Sequence, residues 1–476
     1  MNWLEHWGNS VNKYKTLLKD TFIFSIGNLG SKIILFLLVP LYTNYLTTEE
    51  YGIAELVTTF SQLVIPFAGI CINDAVIRFA LKFDEKKENV LATAFCVFIF
   101  SFGFTLTALP LLHIYKPIAP WRYFLAVQII LTTISETEKS YLKAKNQNTL
   151  FSIISILQTL VLAVTNIILL TCQHLGIQGY LAANNAALGF TTIVSFLMGR
   201  MYRDLRNGKV DWSLLKRMLL YSAPLIFNNI SWWAIHSSDK IMIEIMVGAG
   251  ALGLYTAATK IPSLINVIIS IFTQAWGIST IKEVEKDKDK SFFSSVFKIY
   301  ALLCFGAGII FTTIIKYFMR IYVGSSFIEA WKYTPLLLSA AVFYAISSYY
   351  GSLYAAYQKT VNSMISTVIC AIINIVVNFL FIRVVGTWGA IIGTVVSYIV
   401  IAHVRMIDMR RIVDIAINYR IYVINCILLL LQAILVSLDW HGLIVSIVTI
   451  ILFAIVNMRE IKILLSVTLR RINIIK

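Results

Sequence analysis

The chain has 476 residues, 58% of them hydrophobic and only 13% charged, against about 25% charged in a typical soluble domain. That supply of charge cannot cover a soluble fold of this size, so the composition excludes one and indicates a membrane protein. The formal net charge of +16 raises the question of a nucleic-acid partner, which the placement of the basic residues answers below.

Taken in chain order, residues 1–19 are polar and weakly amphipathic, with no cleavable signal pattern. They read as a cytoplasmic interfacial segment with Trp3 and Trp7 at headgroup level. Fourteen apolar runs follow, near 21–46, 51–77, 89–112, 118–138, 150–172, 177–199, 219–247, 251–277, 293–315, 333–356, 361–383, 388–408, 421–438 and 442–462. Each is long enough to cross a bilayer as a helix. No connection exceeds about twenty residues, too short for a separate domain outside the membrane. The six cysteines are scattered through these runs without a C-x-x-C, so neither a disulfide framework nor a metal site is expected.

With the N-terminus set inside, 31 of the 40 lysines and arginines fall on inner segments, six on outer ones, and three (Lys32, Lys240 and Lys260) within spans. This alternation is a positive-inside signal that places both termini in the cytoplasm. The basic surplus then faces anionic lipid headgroups, and no nucleic acid is required.

The two halves repeat. "TTEEYGIAEL" overlays "GAGALGLYTA" with Gly52 on Gly253. Tyr141–Ser155 overlays Ser352–Ser366 with seven identities, including Gln147 on Gln358, and Gly176 then falls on Gly386. The expected architecture is all-α integral membrane, with about 14 transmembrane helices in two parallel six-helix bundles plus a C-terminal pair. The boundaries are 20–210 for the first bundle, 211–415 for the second, and 416–476 for the last two helices and tail. Repeats of this parallel kind are related by an axis along the membrane normal and are a transporter architecture.

Charges inside spans are costly and usually face a bundle interior or a water-filled path. Lys32 lies about 17 Å into the first span and Lys260 about 14 Å into the eighth, at 1.5 Å per residue. Two such ammonium groups suit a phosphate or diphosphate ligand. The competing reading pairs each with a carboxylate; Glu55, Asp74, Glu136, Asp239 and Glu244 are available. Lys240, Asn28, Gln62 and Asn229 complete the expected cavity lining, since amide side chains both tie helices together and suit sugar hydroxyls. Glu55, Asp74, Arg78 and Asp239 are candidates for ion coupling or a gate, although Asp74 and Arg78, at i and i+4, read most simply as a salt bridge. No catalytic or metal-ligating constellation is present, so no enzyme activity and no cofactor are expected.

The patterns "IGNLGSKIILFLLVPLYTNYLTTEEYGIAEL" and "SSDKIMIEIMVGAGALGLYTAATKIPSL" resemble the Wzx-type polysaccharide-biosynthesis flippases, over roughly residues 15–415. The resemblance implies membership of the superfamily that also holds multidrug extruders and lipid II flippases. It implies alternating access, and a substrate that is an oligosaccharide on undecaprenyl pyrophosphate, moved across a bacterial cytoplasmic (inner) membrane for capsule or O-antigen assembly. The implied partners are that lipid-linked oligosaccharide, membrane lipids and a polysaccharide polymerase, and a proton or sodium gradient is the implied coupling. Lipid II flippase is the alternative. A multidrug or cation antiporter fits less well, because such a cavity should be acidic whereas the mid-depth charges here are basic.

Overall fold

The structure is a computed structural model that describes residues 30–81, 85–285, 290–413 and 415–462. The interfacial segment 1–19, Asn28 and the tail beyond 462 lie outside the described residues. The regular structure described is entirely helical.

Residues 30–37 are helical and continue into α1 (Val39–Tyr45), which together occupy the described part of the first expected span; residues 21–29 of that span lie outside the described residues. The second span is two helices, α2 (Thr48–Ala68) and α3 (Ile72–Ala80), with a break between them. Then come α4 (Lys87–Ala108), α5 (Arg122–Ala144), α6 (Asn148–Ile167), α7 (Gly176–Met198), the short α8 (Met201–Asn207) and α9 (Trp212–Met246). The chain continues through α10 (Ala249–Glu285), α11 (Lys290–Tyr322), α12 (Thr334–Ala356), α13 (Thr360–Val385), α14 (Thr387–Arg410), α15 (Tyr419–Ser437) and α16 (Gly442–Val456).

Among the described residues, each of the fourteen expected spans is therefore occupied by helix. Ten helices among the described residues are long and apolar enough to cross a bilayer, and α16 is a shorter apolar one. The chain is a multi-pass, all-α membrane protein. α5 is not among the ten because its buried face carries Gln128, Thr133, Ser135, Thr137, Glu138 and Lys139.

By internal contacts the chain divides into two units, Met1–Ile241 and Met242–Lys476. The division falls at Ile241, whereas the sequence repeat begins again at 211. Most of α9 thus groups with the first unit, for reasons its side chains make plain below. In the first unit α5 is the hub, packing against α2, α3, α4, α6 and α7. In the second unit α12 packs against α10, α11, α13, α14 and α15. Both hubs carry small and hydroxylated residues at buried positions, Thr133, Ser140 and Ala144 in α5 and Ser339, Ala341 and Ser347 in α12, which let neighbouring helices approach closely.

The hubs are also repeat counterparts. Each is 23 residues long, and each ends in a turn with the same hydrogen bonds: Gln147 N–H to Leu142 carbonyl at 2.9 Å in one, Lys359 N–H to Tyr354 carbonyl at 2.8 Å in the other. Asn146 and Gln358 take the left-handed conformation there, at φ 58 and 56. The overlay that matched Gln147 to Gln358 is therefore one residue out of register at this turn. Side-chain identities drew it, while the backbone turn is set by hydrogen bonding and φ. The glycine match holds: Gly176 and Gly386 both have positive φ, at 53 and 59, and each lies beside the start of its unit's sixth helix.

Candidate functional site

Thr47 opens α2 with a capping box: its hydroxyl accepts from the Glu50 N–H at 3.1 Å while the Glu50 carboxylate accepts from the Thr47 N–H at 2.9 Å. Nearly twenty residues on, Pro66 has no N–H to offer the Gln62 carbonyl. α2 ends at Ala68, Gly69 follows, and Ile70 and Cys71 turn into the left-handed region at φ 48 and 49 before α3 begins at Ile72. Such a conformation is strained for any residue with a Cβ and unusual for a β-branched one. The hub fixes the break: a Cβ on Gly69 would stand 2.9 Å from the Thr133 methyl of α5. Non-helical backbone at membrane depth is tolerated where it is buried in protein or lines a cavity, and a cavity is present here.

This cavity, of about 370 Å³, lies within the first unit between the break, α5 and α9. Gln62 and Asn73 line it from the α2–α3 side, Thr133, Glu136 and Thr137 from α5, and Asn229, Trp232, Trp233 and Ser237 from α9. Two indole faces beside a set of amides and hydroxyls is the chemistry of a site for polyhydroxylated ligands, with ring faces for C–H stacking and mixed donors and acceptors for hydroxyls.

α9 is held at successive levels by the connection after α3, by the break and by α2. Arg217 pairs with Glu85 at 2.7 Å, and Asn229 donates to the Cys71 sulfur at 3.1 Å. Trp233 Nε1 donates to the Thr59 carbonyl at 3.0 Å, and Lys240 Nζ meets Glu55 at 2.5 Å. These bonds explain why the contact boundary lies at Ile241.

The sequence-expected residues separate into groups. Gln62 and Asn229 line the cavity. Lys240 and Glu55 neutralise each other as a largely buried pair, so the carboxylate-partner reading is the arrangement seen for that lysine. Asp239 is buried and accepts the Lys240 backbone N–H at 2.8 Å. Lys32 is exposed, with no ion-pair or hydrogen-bond partner among the described residues. Lys260 is half-buried in α10, in the second unit.

The expected Asp74–Arg78 salt bridge does not form. The Arg78 guanidinium lies over the Tyr221 ring of α9, 4.7 Å from its centroid, and Asp74 accepts from Asn73 at 3.3 Å. Stacking on a partner helix outcompetes a local pair that would gain only about 0.2–0.5 kcal/mol on a helix surface. Glu136 is the carboxylate that reaches the cavity, and it bridges Lys139 at 3.0 Å, whose ammonium also meets Gln158 at 2.9 Å.

Sequence reasoning missed the break, Asn73, Thr133, Thr137 and the two tryptophans as a group. The signal was the run "PFAGIC", with Pro66 and Gly69 three residues apart inside an apolar stretch.

Comparison with known proteins bears on the fold and the family. Two curated proteins of Haemophilus influenzae, an "Uncharacterized membrane protein" and "Lsg locus putative protein 1", are 23% and 22% identical over 266 residues, or 55% and 54% of this chain. The match spans 64% of either relative's own length, less than two thirds. Among solved structures, the chain is similar to the lipid II flippase MurJ in an inward closed conformation, with TM-score 0.67 and 14% identity over 92% of this chain and 100% of the other. It is also similar to an inward-facing multidrug resistance MATE family transporter of the MOP superfamily, with TM-score 0.65 and 15% identity over 81% and 94%. At those identities the likeness establishes the fold alone. A family model described as polysaccharide biosynthesis protein matches residues 17–277, more than half of the chain and the stretch that contains the broken helix and its cavity. The chain therefore belongs to the polysaccharide biosynthesis protein family and has the fold of the MOP superfamily.

Proposed function

We propose that the chain is a flippase that moves undecaprenyl-pyrophosphate-linked oligosaccharide units from the inner to the outer leaflet of a bacterial cytoplasmic membrane. The units would serve capsule or O-antigen assembly, transport would proceed by alternating access, and both termini would be cytoplasmic. Family membership and fold support transport over chemistry. The observation that carries the substrate class is the cavity at the break in the second span, where Trp232 and Trp233 stand beside Gln62, Asn73, Thr137 and Asn229.

In this reading the cavity takes sugar rings of the glycan. Lys32, exposed and without an ion-pair partner among the described residues, holds the diphosphate, and Lys260 is assigned the same role in the second unit. The Glu55–Lys240 pair acts as a gate, and Glu136, which lines the cavity while paired with Lys139, is the carboxylate that takes a proton or sodium ion. A polysaccharide polymerase in the same membrane would take the delivered units.

The test is flipping of a fluorescent undecaprenyl-pyrophosphate oligosaccharide in proteoliposomes. Losing one charge-assisted contact to the diphosphate slows transport by Lys32→Ala about tenfold or more, with membrane insertion unchanged. Wild-type rates would remove Lys32 from the mechanism. Lipid II is the second reading, favoured by the likeness to MurJ. Complementation of a strain lacking its O-unit flippase, against one depleted of its lipid II flippase, separates the two.

A further inference from the structure

A second cavity lies wholly within the second unit and takes no part in the proposed transport path. It measures about 500 Å³ and sits where the first part of α11, residues 416–418 and the end of the last helix meet. Its mouth carries Lys298, Arg459 and Glu460, with Ser295 and Asn418 beside them. A small groove of about 50 Å³ opens from it, walled by Phe297, Leu302 and Phe305 of α11, by Ile421 of α15 and by the amides Asn425 and Asn457.

The walls are built features. The 416–418 segment is fastened to α11 by the Ala416 N–H on the Ser294 hydroxyl at 2.9 Å. α15 and the last helix are clasped behind the groove by reciprocal amide bonds between Asn425 and Asn457, at 3.0 and 2.9 Å.

The charges at the mouth are not satisfied by one another. Lys298 and Arg459 are exposed and have no carboxylate partner within 4.0 Å among the described residues. Glu460 Oε2 is buried and has no hydrogen-bond partner among the described residues. Arg459 and Glu460 are consecutive on a helix and point in different directions, so they cannot meet each other. The site thus offers two cations for an anion and one buried acceptor for a donor, in a cavity of about 500 Å³. Basic pockets between helices on the cytoplasmic side are where lipid headgroups bind, and the positive-inside assignment puts this mouth on that side.

We propose that this is a binding site for an aminophospholipid of the inner leaflet. Its phosphate would lie against Lys298 and Arg459, its primary ammonium would donate to Glu460 Oε2, and its acyl chains would remain in the surrounding bilayer. The carboxylate selects the headgroup. Phosphatidylglycerol has no ammonium to satisfy it, and the trimethylammonium of phosphatidylcholine has no N–H to donate.

The test uses the purified full-length protein, delipidated in detergent and titrated with phosphatidylethanolamine, phosphatidylglycerol and phosphatidylcholine of matched acyl chains, with bound lipid read by native mass spectrometry. The expected result is that phosphatidylethanolamine binds about tenfold more tightly than either other lipid, the worth of one charge-assisted hydrogen bond. Glu460→Gln, which keeps shape and hydrogen-bonding capacity but removes the charge, should erase that preference, and Lys298→Ala with Arg459→Ala should weaken all three lipids. Equal binding of the three lipids by the wild-type protein, tightest binding of phosphatidylglycerol, or a preference that survives Glu460→Gln would each overturn the proposal. The wild-type comparison stands even where a variant fails to fold.

Discussion

At the residue scale, the buried charges divide by whether the chain supplies their partner. Glu55 and Lys240 supply each other, and side-chain exposures of 9% and 19% leave little water to take over if one is removed. Removing one member of such a pair leaves an uncompensated charge and costs about 3–5 kcal/mol, whereas replacing both is often neutral. Glu55→Ala should therefore lower the unfolding midpoint in detergent, and adding Lys240→Met should recover most of it. Additive losses in that double-mutant cycle would mean that the pair is not coupled.

Arg405 makes the complementary case. It was counted with the basic residues of an inner connection, yet it is only 8% exposed. Its guanidinium donates to the Ser366 hydroxyl at 3.0 Å, the Ser347 carbonyl at 3.2 Å and the Thr367 hydroxyl at 2.9 Å, tying α14 to α12 and α13. A lysine cannot span three acceptors on two helices with one ammonium. Arg405→Lys should therefore cost about 1–3 kcal/mol of stability per lost charged hydrogen bond, read as a lower thermal midpoint at unchanged net charge.

At the element scale, the interruption between α2 and α3 matters most. Its cause is spread over two elements: Pro66 withdraws a donor, and Gly69 lets the chain touch Thr133 of the hub. Gly69→Ala should impair folding and transport, because the new methyl stands 2.9 Å from the Thr133 Cγ2. Thr133→Ser removes that carbon and keeps the hydroxyl, so the double variant should regain much of the loss. Failure of that rescue, measured by expression of monodisperse protein, would place the constraint elsewhere. Ile70 holds φ 48 against its own branching; relief of that strain by Ile70→Gly is offset by the greater backbone entropy of glycine in the unfolded chain.

For the whole molecule, the orientation expected from charge is directly testable. In a cysteine-less background, Asn207→Cys after α7 should react with a membrane-impermeant maleimide only from the cytoplasmic side. Ser326→Cys after α11 should react from outside. Both native residues are exposed. The reverse pattern would overturn the positive-inside assignment.

The sequence by itself determined what depends on local composition and period. Apolar runs of bilayer length gave the helices, and the alternation of basic segments gave the orientation to be tested. The paired glycines Gly176 and Gly386 marked the second copy of a turn. Tertiary structure decided everything that depends on which side chains meet across the chain. It gave Lys240 to Glu55, laid Arg78 on Tyr221, buried Arg405 among hydroxyls, and left Lys32 exposed. It also brought Gln62 and Asn229 together with Asn73, Thr137 and two tryptophans around a break that hydropathy reads as continuous span. The physical reason is range. Burial of backbone and apolar surface in lipid is a property of each segment alone, whereas the partner of a charge is fixed only once helices distant in sequence have packed.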